Sequence, residues 1–522
     1  RYRPFRSLKG RVVSGEANIF SRLTARQRTL AGMVLALSNF MVVLDLTIAN
    51  VSVPHISGNL GITPDQGTWI ITSYAVAEAI CVPLTGWLAQ RFGVVKMFIS
   101  AMIGFGLFSV LCGLSMSLSM IVVCRIGQGL CGGPIMPMSQ TLMLRVFPPE
   151  RRARAMGLWA MTTLLGPAMG PIIGGYISDN WSWHWIFFIN LPIAILCVFA
   201  AMALLRPVET ETARVPIDKI GLALLVFWIG CLQVMLDLGR DHDWFADPLI
   251  LSLAILSLIG FLVFIIWELT EEHPIVDLRV FRHVGFTTGV LSLALCYGAY
   301  FSGIVIIPQW LQSARGYTAT WAGIVTAFTA MAALMSAPVA ARIMGRGVDP
   351  RFMISGAVLW LGLMTLWRAH WTSSVDFWMM AAPQFIQGFA MPFFMIPLTT
   401  LTLGSVRPEE TASAAGLQNF LRTMALAIAT SLVLTGWGNG QRVSRSELAG
   451  TLQPADTQAA LANIGMSTDQ ARQVISNIVD QEATAISVDH IFFISALILF
   501  FASAMVWLAP RPRPNVDTSA AH

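Results

Sequence analysis

Fourteen separate stretches of this chain are apolar for long enough to cross a bilayer, and that property leaves few folds open. They fall near 29–53, 68–89, 95–115, 118–145, 155–177, 185–205, 217–237, 248–267, 285–307, 321–343, 352–369, 377–403, 415–436 and 489–509. A helix needs about 17–25 residues to cover the roughly 30 Å hydrocarbon core. With 55% hydrophobic and 12% charged residues in 522, the expectation is an all-α membrane protein of 14 transmembrane helices rather than a soluble multidomain chain. An even number of crossings puts both termini on one side.

The basic residues choose that side. Of the 33 Lys and Arg, only Arg240, Arg315, Arg368, Arg442, Arg445 and Arg472 fall in outer segments, while Arg125 and Arg422 lie within runs. The others border the opposite side, which the positive-inside rule makes the cytoplasm. The net charge of +5 is therefore a matter of topology, not a nucleic-acid footprint. Arg1 to Arg28 is basic and leads into a full-length span, so it is expected to be a retained cytoplasmic segment. All seven Cys fall within apolar runs; an odd number so placed argues against a disulfide framework or a thiolate metal site. No Walker sequence, metal-ligand spacing or nucleophile–base pair stands out. The turn with Asp237, Asp241, His242 and Asp243 reads as solvated rather than metal-binding. No enzyme activity and no cofactor are expected.

The chain also repeats itself. Pro83, Arg91, Lys96 and Ser100 recur as Pro338, Arg346, Arg351 and Ser355, each 255 residues on. Gln128-Gly129, Pro149-Glu150 and Gly157-Leu158 recur as Gln387-Gly388, Pro408-Glu409 and Gly416-Leu417, each 259 on. Both copies lie on one side of the membrane, so the repeat is parallel, a known carrier architecture. The expected organisation is a basic segment 1–28, a six-helix half 29–205 and two inserted helices with flanking loops 206–284. A second six-helix half 285–509 and a cytoplasmic tail 510–522 complete it. Within the second half, 437–488 is a polar extracytoplasmic stretch, compatible with an ordinary long loop or with one or two short amphipathic helices.

Asp45 is the only ionisable residue between Leu30 and Val53. A charge at such depth costs at least ~2.5–3.5 kcal/mol, so it marks a functional site with a partner to be found. At 1.5 Å per residue Asp45 lies ~12 Å below the outer surface, Arg125 ~9 Å and Glu78 ~15 Å. Two readings fit: a static salt bridge locking the first and fourth helices, or a carboxylate titrated during a transport cycle. In the repeat Arg125 corresponds to Gln384, and the positions around Tyr297 and Ala330–Ala333 carry no charge. Proton coupling is therefore assigned to Asp45, Arg125 and Glu78 of the first half, and the second half reads as substrate-facing and apolar.

In the fifth run, Gly166, Gly170 and Gly174 form one line at i+4 spacing, while Pro167 and Pro171 kink the helix. With Gly175, this surface reads as ordinary close packing or as the place where the halves rock. Gly86, Arg91, Gly93 and Lys96 in the loop after the second run are topology determinants or a cytoplasmic latch. Candidate cavity residues, chosen because Met and aromatic side chains re-pack around varied ligands, are Asn39, Met41, Met156, Trp159, Gln384, Phe393, Phe394, Gln418 and Asn419.

Gly86-Trp-Leu-Ala-Gln-Arg91-Phe-Gly93-Val-Val-Lys96 resembles the loop signature of the major facilitator superfamily, and Arg125-Ile-Gly-Gln128-Gly129 its fourth-helix signature. Gly166-Pro167-Ala-Met-Gly170-Pro171-Ile-Ile-Gly174-Gly175 resembles the fifth-helix signature of drug:proton antiporters. Leu44-Asp45-Leu-Thr47-Ile-Ala-Asn50-Val resembles the first-helix signature of their fourteen-helix family, in which the EmrB-type multidrug export permeases share further stretches with this chain. One position departs: the loop's usual acidic residue is Gln90 here. The resemblance implies a major facilitator fold and proton-driven antiport of hydrophobic or amphipathic drugs or toxins across the inner membrane. It also implies a tight fifth-helix seam against ion leakage, a periplasmic adaptor (membrane fusion) protein and an outer-membrane channel. A dedicated exporter of one endogenous compound, such as a siderophore, is the alternative; a non-transporting scaffold would have no need of buried charges.

Overall fold

The computed structural model describes residues 22–213, 216–239, 242–346, 348–451 and 467–509. Most of the basic segment 1–28, the tail 510–522, Arg240 and Asp241 of the polar turn, and 452–466 of the long polar stretch lie outside the described residues. Within them, twelve helices are long and apolar enough to cross a membrane unbroken, and two bent pairs bring the number to fourteen. All fourteen expected runs are found.

In the first half these are α1 (Ala25–Leu60), α2 (Pro64–Cys81 and Thr85–Phe92), α3 (Val94–Gly113), α4 (Leu118–Gly132 and Ile135–Val146), α5 (Pro149–Asn180) and α6 (Trp185–Phe188 and Asn190–Leu204). The inserted pair is α7 (Lys219–Leu238) and α8 (Pro248–Thr270). The second half has α9 (Val284–Arg315), α10 (Ala319–Met344), α11 (Pro350–Arg368), α12 (Phe377–Gly388 and Met391–Gly404), α13 (Thr411–Thr451) and α14 (Thr468–Met505).

Local chemistry sets the boundaries. Thr24 and Gln27 cap the start of α1 reciprocally, and Gly61, at φ 65°, ends it. Thr63 with Gln66 and Ser467 with Gln470 form the same capping box before α2 and α14. Apolar periodicity fixes the rest, because in hydrocarbon every backbone group must be paired within its own helix. α2 bends by 59° where Pro83 lacks a donor, and α5 bends by 43° between Pro167 and Ile172.

The most extensive helix pair is α1 with α5. Gly166, Gly170 and Gly174 lie against Val43, Thr47 and Ile48, and a Cβ on Gly174 would stand 2.8 Å from the Ile48 side chain. Thr47 Oγ1 donates to Gly166 O at 3.1 Å, fixing the close approach. The glycine line therefore packs within the first half, which corrects its reading as the surface between rocking halves. What α5 offers the second half is Gly157 against Ile396, Gly175 facing Thr320, and Pro167.

The halves meet along α5 and α10, and where α13 crosses the lower parts of α2 and α4. On the face rich in Arg and Lys, a Cβ on Gly86 would stand 2.9 Å from Ser413 Cα, and Asn419 Nδ2 donates to Gln140 Oε1 at 2.8 Å. The inserted α7 packs on α8 and touches both α2 and α13.

The polar stretch from 437 differs most from expectation. α13 and α14 do not stop at the membrane boundary but run on for 41 and 38 residues in total. Their extensions are tied to one another by Ser487 Oγ donating to Trp437 O at 2.8 Å, Gln441 to Thr484 at 2.7 Å and Arg445 to Asp480 at 2.9 Å.

A buried ion pair and a seam cavity

α1 and α4 bring Asp45 and Arg125 together in the middle of the first half, and both side chains are 0% exposed. Arg125 Nη1 donates to Asp45 Oδ2 at 2.7 Å. The other carboxylate oxygen accepts from Gln128 Nε2 at 2.9 Å and Asn190 Nδ2 at 2.7 Å. Arg125 Nε reaches Ile70 O at 3.0 Å, across from the ring of Tyr74 at 4.3 Å. Ser109 accepts from both Gln128 and Asn190. Two helices, α4 and α6, thus donate three hydrogen bonds to the carboxylate on α1, while α2 and α3 hold the donors through Ile70 and Ser109, the satisfaction a charge needs at this depth. Gln128 and Asn190 were missed as site residues, although Gln128 stands inside the fourth-helix motif Arg125-Ile-Gly-Gln128-Gly129.

Glu78 is buried too but makes no hydrogen bond to this cluster among the described residues; the guanidinium acting on it most strongly is Arg422 of α13. Arg422 crosses from the second half, donating to Met136 Sδ at 2.7 Å. The expected trio is therefore a bonded pair plus a separate carboxylate facing the other half.

The second half is not free of buried charge, as the sequence reading had it. Arg368, assigned there to an outer segment, ends α11 at 2% exposure. It donates to Gln384 Oε1 at 2.9 Å, Thr365 Oγ1 at 3.0 Å and Gln387 Oε1. Its position at the last residue of an apolar run hid it.

Of the nine expected cavity residues, Gln384 lines a cavity at the seam, with Pro167 from α5 and Tyr300, Phe301, Thr329 and Ala330 from α9 and α10. The others fill packed interior. Asn39 ties α1 to α5 through Thr162 and Thr163 at 2.8 and 2.9 Å. Trp159 Nε1 donates to Ser139 at 2.9 Å. Met41, Met156 and Phe394 sit in the main core with Phe393 against it, while Gln418 and Asn419 are buried on α13. Size and polarity recommended them, but they complete helix contacts instead.

In the loop motif, Gly86 makes the contact with the second half, whereas Gly93 and Lys96 are held by Glu209 in the segment that follows α6. Glu209 accepts from the backbone N–H of Val95 and of Lys96, both at 2.9 Å, at the start of α3. That is where a carboxylate is most favourable on a helix. Among the described residues no group of three His, Cys, Asp or Glu side chains could hold a metal.

Two six-helix halves around a seam, one carrying a sealed ion pair and the other a lone guanidinium beside a cavity, define a membrane carrier. The chain belongs to the Major Facilitator Superfamily, whose pattern matches residues 35–430, and within it to the EmrB-type permeases. It is 43% identical over 496 residues to the multidrug export protein EmrB of Escherichia coli, covering 94% of this chain and 97% of that protein. It is 39% identical over 489 residues to EmrB of Haemophilus influenzae, covering 92% and 96%. A solved peptide transporter, POT, shares the fold with a TM-score of 0.56 at 14% identity, covering 91% of this chain and 95% of that one.

Proposed function

We propose that this carrier exports chemically varied hydrophobic or amphipathic drugs or toxins in exchange for protons, as the permease of a tripartite system. In that system it sits in a Gram-negative inner membrane with both termini cytoplasmic. It works with a periplasmic adaptor and an outer-membrane channel, needs no cofactor and leaves its cargo chemically unchanged. The likeness to multidrug export proteins supports the cargo class and the partners.

The observation that carries the coupling is the Asp45–Arg125 pair. With Asp45 ionised, Arg125, Gln128 and Asn190 all point at one carboxylate, and α1, α4 and α6 are pinned. A proton on Asp45 removes the charge opposite Arg125 and leaves donors facing a neutral acid, so the pinning weakens. α1 carries that change to α5, which meets the second half at Pro167. Glu78, facing Arg422 across the seam, supplies a second titrating carboxylate.

The test is substrate-induced proton flux in proteoliposomes of the purified protein. An amphipathic cargo should dissipate a preset pH gradient, and Asp45→Asn should abolish the response while the protein stays inserted. Undiminished uphill export by Asp45→Asn sinks the reading.

A further inference from the structure

Tyr74 of α2 adjoins both the ion pair and the second carboxylate, and the coupling described above does not use it. Its ring lies 4.3 Å from the guanidinium carbon of Arg125, and the residue is 0% exposed. Its hydroxyl has no hydrogen-bond partner among the described residues. The charged groups that act on the phenol most strongly are Glu78 of its own helix and Asp45 of α1, ahead of Arg125 and the Cys131 thiol of α4. Glu78 is one turn further on, about 6 Å along the same face of α2.

Two observations set this residue apart from plain packing. A buried hydroxyl without a partner is costly, and phenylalanine would keep a ring over Arg125 without that cost. Moreover, α4 is shaped around the phenol oxygen. Gly129 and Gly133 bring α4 onto α2: a Cβ on the first would stand 2.5 Å from Tyr74 O, and on the second 3.0 Å from Glu78 O. Gly132 beside them leaves the niche that the hydroxyl fills, since a Cβ there would stand 2.6 Å from Tyr74 Oη. Gly132 lies two turns beyond Arg125, toward the Arg- and Lys-rich face. The phenol therefore reaches from the ion pair to the depth of Glu78.

Resting on the proton-exchange reading above, we infer that Tyr74 relays the proton between Asp45 and Glu78. The acid proton of Asp45 passes to the phenol oxygen as the phenol's own proton passes to the Glu78 carboxylate. Two O–H bonds break, at Asp45 and the phenol, and two form, at the phenol and Glu78. The phenol is neutral before and after, and rotation about its Cζ–Oη bond resets it. Negative charge moves the other way, from Glu78 facing Arg422 of the second half to Asp45 facing Arg125 within the first. The first half is thus pinned again as the electrostatic tie across the seam is released. Here Asp45 is held by three donors and the hydroxyl bonds neither carboxylate, so the relay opens when that pinning loosens.

The test uses the purified full-length protein in proteoliposomes, with ethidium, an amphipathic cation, and 1-pyrenebutyrate, an amphipathic acid, as cargo. Tyr74→Phe should lower the maximal cargo-driven proton flux about tenfold or more, the loss of one positioned proton carrier. The cargo concentration at half-maximal flux should stay unchanged. The melting temperature should not fall, because the variant keeps the ring and sheds an unpartnered hydroxyl. A merely structural tyrosine would lower the melting temperature and take flux and half-saturation with it, which overturns the inference. Gly132→Ala crowds the hydroxyl and should also cut maximal flux, yet cost nothing more when added to Tyr74→Phe. Should Tyr74→Phe fail to fold, Gly132→Ala decides alone, and undiminished flux in it overturns the relay. Flux undiminished by Tyr74→Phe sinks the relay and leaves proton exchange standing. No flux from wild type with either cargo sinks the exchange reading and the relay together.

Discussion

The first half surrounds its guanidinium with a carboxylate, two amides and a serine; the second surrounds its own with two amides, a threonine and a phenol. Many places correspond. Gln128 and Gln387 match in the repeat, Ser109 and Thr365 each hydrogen-bond within the cluster, and Phe187 and Phe492 lie 5.7 and 5.1 Å from their arginines. Where Asn190 binds Asp45 in the first half, Ser495 binds Ser302 at 2.8 Å in the second. The guanidinium has changed helix, from α4 in one half to the end of α11 in the other, with Gln384 at the repeat position of Arg125. The fold therefore asks for a polar plug at this depth in each half and is indifferent to which helix supplies the cation. Only a carboxylate bonded to the guanidinium is specific to one half, and it makes the first interior self-neutralised.

The sharpest way to break that contrast is Asp45→Asn, which should cost about 3–5 kcal/mol, the penalty for stranding a buried partner. Adding Arg125→Gln should recover much of the melting temperature but none of the proton flux. Recovery of both would make the pair a lock and nothing more. Arg368→Gln strands no opposite charge and should cost less, about 1–3 kcal/mol for the acceptors left behind, measured as a smaller drop in melting temperature than Arg125→Gln. Gly170→Leu should cost about 1–3 kcal/mol by forcing α5 off Thr47, and should reduce export with neutral and acidic probes alike because it acts inside the first half.

The smallest effect lies outside the membrane. Burial raises the pKa of the Glu410 carboxyl, but the hydrogen bond from His283, the Arg407 backbone and the charge of Arg282 outweigh it, so the net shift is downward. The resulting stability is present above the unfolded Glu value of about 4.3 and is lost as pH falls through the lower folded value. Glu410→Gln should therefore lower the melting temperature slightly at pH 7 and leave it unchanged at pH 3. Arg282 is half exposed, so the effect should stay below about 1 kcal/mol.

Much of this was legible in the sequence. Hydropathy alone placed fourteen spans, since a chain in lipid has little choice but helix, and depth counting paired Asp45 with Arg125. Arg368 escaped because it closes an apolar run, where a residue-by-residue count cannot distinguish a surface charge from one drawn inward. Glu209 escaped because it acts on α3 from more than a hundred residues away in sequence. The cavity candidates were chosen by type, and type does not distinguish Trp159, which completes a helix contact, from Gln384, which lines the small seam cavity. The polar composition after Trp437 left a long loop and one or two short amphipathic helices equally open; instead α13 and α14 themselves run on, paired with one another.

That continuous winding has a mechanical consequence. α13 covers 41 residues, or about 60 Å at 1.5 Å per residue. Near its beginning it carries Gly416, Asn419 and Arg422, which grip the first half beside Val82, Gln140 and Met136. The same rod is bonded to the inserted pair through Ser431 and Thr435 and to α14 through Trp437, Gln441 and Arg445, so one continuous helix joins the clasp between the two lobes to the paired extensions at its far end.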